Sequence, residues 1–190
     1  MKRIIYLAAG SSRRFGENKL FFALDGKPLY RHGLDMLAAL VKARDDCDLT
    51  VVSRYPAVLE AARALGARAA DSPESEKGLS YTIRAGMDAA GALEEGDFLV
   101  FVVADQPWLT AATVSRLLDA ARPGVPAACA VFGERAGNPM AFAAALAPEL
   151  RALESDHGGR EVAARHRPLA VPATSARELD DVDAPEDMER

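Results

Sequence analysis

Two uninterrupted apolar runs, residues 4–7 and 98–103, constrain the fold more than any other feature of this sequence. Strands that are apolar at every position are typical of the middle of a parallel sheet, where helices cover both faces. Other short apolar segments alternate with amphipathic ones, which is the pattern of βαβ units. We therefore predict an α/β fold: a single Rossmann-like three-layer domain, over residues 1–190, with a mostly parallel sheet.

The remaining elements follow from the same hydrophobic periods. Strands are predicted at 3–8, 49–53, 67–70, 98–103, 127–131, 139–142 and 169–171. Helices are predicted at 28–43, 57–65, 80–90, 110–121 and 143–153, with Thr110 as an N-cap and Pro28 in a first turn. Open α/β sheets bind ligands outside the carboxyl ends of their strands, so the loops after Leu7 and Val103 are the places to expect chemistry.

Composition excludes several functional classes. A net charge of −5 argues against a general nucleic-acid binder, and no apolar run approaches the length of a membrane span. Cys47 and Cys129 are isolated, which is typical of reduced core residues in a cytosolic protein, so we expect a cytoplasmic location. The three histidines lack zinc-like spacing.

The segment after the first apolar run has the composition of a phosphate-binding loop. It combines small residues, hydroxyls and cations: Gly10, Ser12, Arg14, Gly16 and Lys19. Small residues let backbone N–H groups approach phosphate oxygens, and the cations offset the phosphate charge. A Walker A loop is excluded because Glu17 follows Gly16, and no Gly-x-Gly-x-x-Gly fingerprint is present. The alternative is a solvated loop whose arginines point into water.

An acidic residue, Asp105, follows the second apolar run directly. It could cap the next helix, but Thr110 is better placed for that role. Transfer of a phosphoryl-type group needs a divalent cation, and Mg²⁺ is usually held by one or two carboxylates together with the substrate. Asp105 is therefore a candidate ligand for Mg²⁺.

These segments resemble the signature motifs of the MobA-like nucleotidyltransferase family. Residues 7–19 are similar to its loop Leu-Ala-Ala-Gly-x-Ser-x-Arg-Phe-Gly-x-x-Lys, residues 26–29 to the following Gly-Lys-Pro-Leu, and residues 104–107 to its metal-binding strand end. The resemblance implies a fold of the nucleotide-diphospho-sugar transferase type, with residues 1–110 mainly binding nucleotide and 111–190 mainly binding acceptor. Leu-Ala-Ala-Gly together with Asp-Gln-Pro is similar to the cytidylyl branch of the family, whereas the guanylyl branch typically has Leu-Ala-Gly-Gly and Asp-Met-Pro.

Residues 78–82 resemble the family's Gly-x-Ser-x-Ser/Thr element, which contacts the base. The alternative for Ser80 is a plain N-cap, and the charged run 74–77 before it is interpreted as a solvated loop. The resemblance thus implies catalytic roles for Arg14, Lys19 and Asp105. The nucleotide-binding residues that it implies are Leu7, Ala8, Ala9, Gly10, Ser12, Arg14, Lys19, Gly78, Ser80, Thr82 and Asp105.

Two further segments resemble the family's acceptor-binding elements. Residues 137–142 are similar to its Gly-x-Pro-x-x-Phe strand, and residues 155–160 to its Gly-Asp-x-Gly-Ala-Arg loop, from which Ser155 and Gly159 depart. The acceptor-binding residues implied are Gln106, Asn138, Pro139, Asp156, Gly158 and Arg160. The alternatives are a turn with a helix start for the loop and an ordinary core position for Phe142.

The C-terminal segment 181–187 is similar to the family's Asp-Ile-Asp-Thr-Pro-Glu-Asp ending. By resemblance, Asp183 is a second metal ligand beside Asp105. Asp183 with Glu186 three residues later, and Pro185 between them, also reads as a capping box. One carboxylate can serve both purposes.

The functional hypothesis is an Mg²⁺-dependent nucleotidyltransferase that moves CMP from CTP to the phosphate of molybdopterin and releases pyrophosphate. GTP, or a sugar or polyol phosphate as acceptor, is the alternative within the same chemistry. A catalytically silent carrier of a nucleotide or cofactor is the alternative from another class. A transient molybdoenzyme or chaperone partner is expected, and neither nucleic acid nor membrane.

Overall fold

The computed structural model describes residues 1–10, 18–184 and 186–187. Within them, seven strands form one sheet: β1 (Lys2–Leu7), β4 (Cys47–Ser53), β5 (Arg68–Asp71), β6 (Phe98–Val103), β7 (Ala127–Phe132), β8 (Arg135–Ala143) and β9 (Leu169–Pro172). Their order across the sheet is β5-β4-β1-β6-β8-β7-β9. A separate short hairpin pairs β2 (Ala23–Leu24) with β3 (Lys27–Pro28).

The sheet is mostly parallel, as predicted. Strand β1 lies between β4 and β6 and runs parallel to both, and β8 is antiparallel to its two neighbours. Only two residues, Gly133 and Glu134, connect β7 to β8, and so short a connection can only join antiparallel strands. All seven predicted strands are present, with ends that differ by a few residues.

Helices cover both faces of the sheet. They are α1 (Leu29–Lys42), α2 (Pro56–Ala64), α3 (Leu79–Ala90), α4 (Ala111–Ala120), α5 (Ala147–Arg151) and α6 (Gly159–Arg165). Alternate residues of β1 face opposite sides, so Ile4 and Tyr6 pack with α1, α2 and α4, whereas Ile5 and Leu7 pack with α3, α5 and α6. Ile4, Ile5 and Tyr6 are completely buried, which explains why the run is apolar at every position. The predicted three-layer α/β fold is confirmed.

Three local predictions are corrected. The helix predicted at 143–153 is broken, because Ala143 still belongs to β8, a 3-10 turn covers Ala144–Leu146, and α5 begins only at Ala147. Ser80 is not an N-cap: α3 starts one residue earlier, with Gly78 in that position. The charged run 74–77 is no loop, since it lies in a 3-10 helix over Pro73–Lys77.

Pro28 does not lie in the first turn of α1 as predicted; it ends β3 and immediately precedes the helix. Other local predictions hold. Thr110 caps α4 by accepting a hydrogen bond from the Thr113 N–H. Both cysteines are buried and free. No helix in the described part of the chain is long and apolar enough to span a bilayer.

Candidate active site

A cleft opens at the carboxyl ends of β1 and β6. These strands pair in register, with Leu7 opposite Val103, so the segments that follow them leave the sheet side by side. The cleft encloses about 600 Å³, a volume typical of small-molecule sites. Its described lining residues are Leu7, Ala9, Gly10, Lys19, Leu20, Ser75, Glu76, Leu79, Thr82, Val103, Ala104, Asp105, Asn138, Asp156, Asp181 and Asp183.

Lys19 joins the two sides of this cleft. It begins a 3-10 turn, Lys19–Phe21, which Asn18 caps by accepting a hydrogen bond from the Leu20 N–H. The Lys19 ammonium lies 3.0 Å from Asp105 Oδ2 and 3.1 Å from Asp183 Oδ1. Burial by itself would lower the pKa of Lys19, but the Asp105 and Asp183 carboxylates outweigh burial and raise that pKa. The lysine is therefore held as a cation.

Carboxylates crowd around this lysine. Asp181 also lines the cleft, and its pKa is raised, first by burial and then by repulsion from Asp105 and Asp183. Among the described residues, a single ammonium faces these three carboxylates and does not balance them. The arrangement favours the arrival of a further cation, because like charges in a shared site destabilise one another.

Asp183 is held in place through its backbone N–H, so its carboxylate is available to Lys19 in the cleft. The Asp187 carboxylate accepts hydrogen bonds from the N–H groups of Asp183 and Ala184, at 3.0 and 2.9 Å. Asp187 thus performs the reciprocal part of the cap that the sequence assigns to Glu186. The proline of that predicted capping box, at position 185, lies outside the described residues.

The donor set at the cleft suits a hard divalent cation. In the described part of the chain, no cluster of three or more histidine, cysteine or acidic side chains forms a complete metal site. Two carboxylate oxygens, from Asp105 and Asp183, nevertheless converge on the single Lys19 nitrogen. Mg²⁺ commonly takes one or two carboxylates and completes its shell with water and substrate phosphate, so these residues fit that ion.

The start of the glycine-rich loop forms the cleft's wall beside β1. The Ser53 hydroxyl donates to the Ala8 carbonyl at 2.7 Å, and the Tyr55 hydroxyl donates to the Gly10 carbonyl at 3.0 Å. These contacts fix the path of the backbone at the predicted phosphate site. Ser12 and Arg14, which the sequence assigns to the triphosphate, lie outside the described residues.

The segment predicted to read the base forms another wall of the cleft. Thr82 lines the cleft, whereas Ser80 is fully buried, and the Ser80 N–H donates to the Ser155 carbonyl at 3.0 Å. Gly78 has φ +132°, and a Cβ there would lie 2.2 Å from the Ser155 backbone. Only glycine suits that position, which ties the start of α3 to the loop before α6.

A smaller cavity of about 300 Å³ adjoins the cleft and shares five lining residues with it: Leu7, Leu79, Val103, Asn138 and Asp156. Its walls are largely apolar and include Phe101, Met140 and Phe142. Three of the predicted acceptor-binding residues, Asp156, Gly158 and Arg160, line it. Asn138 is joined to Pro139 by a cis peptide bond.

Two other predicted acceptor-binding residues line neither cavity. Pro139 is buried in β8. Gln106 is 4% exposed, and its amide donates to Asp181 Oδ1 at 2.8 Å. The structure therefore brings Lys19, Asp105 and Asp183 together and leaves Gln106 behind them.

Comparison with known protein families matches residues 4–170 to the MobA-like NTP transferase domain. The chain belongs to this family. The match spans most of the chain and includes the smaller cavity and the cleft residues from Leu7 to Asp156, whereas Asp181 and Asp183 lie beyond it. The family resemblance of the sequence motifs is thus confirmed.

The curated relatives of this family member act in different contexts. The chain is 29% identical to the purine catabolism protein PucB of Bacillus subtilis, over 97% of this chain and 93% of that protein. It is 35% identical to the bifunctional protein GlmU of Maricaulis maris, but the match spans only 32% of GlmU. A segment of 31 residues is 61% identical to a probable molybdenum cofactor guanylyltransferase of Pyrococcus horikoshii, 16% of each chain.

Solved structures share the fold. A nucleotidyl transferase from Methanothermobacter superposes with a TM-score of 0.79 at 22% identity, over 100% of this chain and 95% of that one. Rv0371c of Mycobacterium tuberculosis superposes with a TM-score of 0.76 at 24% identity, over 100% and 96%. A second structure of Rv0371c contains manganese, and its TM-score is 0.72 at 23% identity, over the same shares of the two chains.

Sequence reasoning missed several residues of this family member's cleft. Ser75 and Glu76 line it, although their charged run reads as a solvated loop. Asp181 lines it beside Asp183. The sequence signal that could have revealed Asp181 is the pair of acidic residues at positions 181 and 183. Side chains two positions apart point to the same side of an extended chain, so both carboxylates can face one site.

Proposed function

We propose that this protein is a divalent-metal-dependent cytidylyltransferase that transfers CMP from CTP to the phosphate of molybdopterin. One observation carries the proposal. The Lys19 ammonium bridges Asp105 and Asp183 at the edge of a cleft large enough for a nucleotide. Had Lys19 and Asp105 lain on opposite sides of the molecule, no nucleotidyl transfer could be assigned to them.

The proposed reaction is an in-line displacement at the α-phosphorus of CTP. An oxygen of the acceptor phosphate forms the new P–O bond, and the bond from the α-phosphorus to the oxygen that bridges to the β-phosphorus breaks. The electron pair leaves with pyrophosphate. No side-chain base is required, because a phosphate acceptor is already an anion at neutral pH. Catalysis then consists of positioning and charge stabilisation.

The residues of the cleft divide these tasks. Backbone N–H groups near Gly10, together with Ser12 and Arg14, would hold the triphosphate. Lys19 would neutralise charge that grows at the α-phosphate. Asp105 and Asp183 would hold Mg²⁺, which supplies charge neutralisation of the phosphate oxygens when bound. The manganese in one structure of Rv0371c supports a divalent cation in a protein of this fold.

Molybdopterin as acceptor is supported by the segment shared with the probable molybdenum cofactor guanylyltransferase. CTP is preferred because Ala9 follows Leu7-Ala8 and Gln106 follows Asp105, as in the cytidylyl branch that the sequence resembles. We propose that Asn138, Asp156, Gly158 and Arg160 contact the acceptor, since the smaller cavity has room beside the transfer site.

GTP is a second candidate donor, because the Pyrococcus relative is named a guanylyltransferase. A sugar or polyol phosphate is a second candidate acceptor, because the superfamily that the sequence motifs resemble includes sugar-phosphate nucleotidyltransferases. A transient molybdoenzyme or chaperone partner belongs to the proposal with molybdopterin.

The test is a release assay. The protein is incubated with Mg²⁺, with CTP or GTP, and with molybdopterin, a sugar 1-phosphate or a polyol phosphate, and pyrophosphate is measured. We expect CTP with molybdopterin to give the highest turnover. Equal or greater turnover with GTP would remove the cytidylyl assignment, and greater turnover with a sugar phosphate would move the acceptor class. Nucleotide binding without turnover on any acceptor would indicate a silent carrier.

A further inference from the structure

Gln106 has no access to the cleft that its motif serves. We propose that Gln106 is a positioning residue for the metal ligands: its amide holds Asp181, so that Asp183 faces Asp105 across the cleft. This inference rests on the proposed function, because it concerns the same metal site. It replaces the acceptor contact that the sequence resemblance implies for Gln106.

The contacts of the Gln106 side chain run to the C-terminal segment. Its Nε2 donates to Asp181 Oδ1 at 2.8 Å and to the Leu179 carbonyl at 3.4 Å. Both partners are acceptors, so the amide nitrogen must face them and the orientation of the amide is determined. The side chain therefore connects the end of β6 to the C-terminal segment.

A backbone hydrogen bond lies beside this contact. The Val182 N–H donates to the Asp105 carbonyl at 2.9 Å. Two consecutive residues after β6 thus bind two consecutive residues of the C-terminal segment. Asp105 belongs to the first of these pairs of residues, Asp183 directly follows the second, and both carboxylates accept from Lys19. Displacing Asp181 would let Asp183 move relative to Asp105.

The oxygen atom of the Gln106 amide lowers the stability of the folded state. Gln106 Oε1 is buried and accepts no hydrogen bond from the described residues. A buried carbonyl without a partner destabilises the folded state, and an apolar side chain of similar shape would avoid this cost. The amide therefore places Asp181 through its nitrogen, while its oxygen makes no stabilising hydrogen bond with the described residues.

Gln106→Met tests this directly, since methionine matches the length of glutamine and cannot hold Asp181. Mn²⁺ binding is measured by calorimetry in the presence of CTP and without acceptor, and unfolding is followed by heating. We expect Mn²⁺ affinity to fall about tenfold, while the unfolding midpoint stays level or rises. Unchanged Mn²⁺ affinity would overturn the proposal, and so would a loss of affinity that merely follows a lower unfolding midpoint.

A pair of variants at Asp181 separates position from charge. In Asp181→Asn, the side-chain oxygen can still accept from Gln106 although one negative charge is lost, so we expect a smaller loss of Mn²⁺ affinity than in Asp181→Leu. Asp181→Leu removes the acceptor and should behave like Gln106→Met. If the asparagine variant loses as much affinity as the leucine variant, Asp181 acts through its charge and the positioning role is wrong.

Glu178→Gln is the matched control on the same segment. Glu178 is buried and accepts from the Thr110 and Thr174 N–H groups, away from Gln106. We expect a lower unfolding midpoint and an Mn²⁺ affinity close to that of the parent. An equal loss of Mn²⁺ affinity would mean that any loosening of the segment suffices, which would contradict a specific role for Gln106.

The single tryptophan supplies an independent readout of the segment. Trp108 packs against the cluster of Leu24, Leu29 and Val182, so its emission reports whether Val182 stays in place. We expect a shifted emission in Gln106→Met that Mn²⁺ with CTP partly reverses, and an unshifted emission would contradict the proposal. If the parent protein itself binds no Mn²⁺ with CTP, the proposed function fails; if it binds and Gln106→Met binds equally well, only this inference fails.

Discussion

The two edges of the same sheet use aspartate in opposite ways. At the amino ends of β1, β4 and β6, Asp46, Asp48 and Asp97 each have a cation beside them. The pairs there are Met1 N-terminus with Asp97, Lys2 with Asp46, Arg3 with Asp48, Arg44 with Asp46 and Arg68 with Asp48. At the carboxyl ends, the described residues that line the cleft include five carboxylates and one ammonium: Glu76, Asp105, Asp156, Asp181, Asp183 and Lys19.

This difference distinguishes a structural edge from a binding edge. Matched charges at the amino ends satisfy one another and need nothing from solution. At the carboxyl ends Glu76 is paired with Arg54, but Asp105, Asp181 and Asp183 share one ammonium among the described residues. A further cation lowers the repulsion between these three carboxylates. We therefore propose that the pattern of charge balance, rather than the presence of aspartate, marks the edge that binds metal and substrate.

The largest effect is expected for Asp105→Ala. Losing a proposed metal ligand should lower turnover on the order of 10²-fold or more, with little change in the unfolding midpoint. The control is Asp119→Ala, which removes a surface carboxylate paired with Arg44 and should leave turnover near that of the parent. Near-normal turnover in Asp105→Ala would show that the metal lies elsewhere.

Lys19→Met should come next. The loss of its charge at the α-phosphate should lower turnover by about 10²-fold. Mn²⁺ affinity without nucleotide should be at least as high as in the parent, because no ammonium then competes for Asp105 and Asp183. A turnover assay checks the first expectation, and a titration with Mn²⁺ in the absence of nucleotide checks the second. Weaker Mn²⁺ binding in this variant would contradict the picture of an acidic edge awaiting a cation.

Arg160→Ala sharpens the comparison within the carboxyl edge. Arg160 lines the smaller, largely apolar cavity, so its loss should raise the KM for the acceptor about tenfold while the KM for CTP stays unchanged. Arg165→Ala, which removes a cation of the same helix that pairs with Glu149, serves as control. A raised KM for CTP would place Arg160 at the nucleotide instead.

The smallest effect is expected at the amino edge, for Asp97→Asn. Burial by itself would raise the pKa of Asp97, but the N-terminal ammonium and the Glu94 N–H outweigh burial and lower that pKa. A carboxylate with a lowered pKa stabilises the fold above its ordinary pKa and loses this contribution as the pH falls through the lowered value.

Chemical unfolding at several pH values measures this contribution. Asp97→Asn should cost about 1–2 kcal/mol at neutral pH, and the deficit should shrink in strong acid. Turnover of the folded variant should match that of the parent. A large loss of turnover without a loss of stability would break the proposed division between the two edges.

The sequence predicted the fold well because hydrophobic period and strand order are local or nearly local properties. The runs at 4–7 and 98–103 indicated central strands, and both are buried at the centre of the sheet. The prediction of one helix over 143–153 was wrong, because the hydrophobic pattern does not show that Ala143 is apolar as part of a strand. Ala143 pairs with Phe98 across the sheet, and a tertiary contact overrides helix propensity there.

By itself, the sequence determined the family, the parallel sheet and the two loops that carry Lys19 and Asp105. Only the tertiary structure decided which side chains meet. It turned Gln106 away from the cleft, placed Asp181 beside Asp183, and brought Glu76 to the cleft wall. The physical reason is separation along the chain. Residues 105 and 183 meet because the Val182 N–H donates to the Asp105 carbonyl while Val182 packs against Leu24 and Leu29, and no local pattern encodes these contacts.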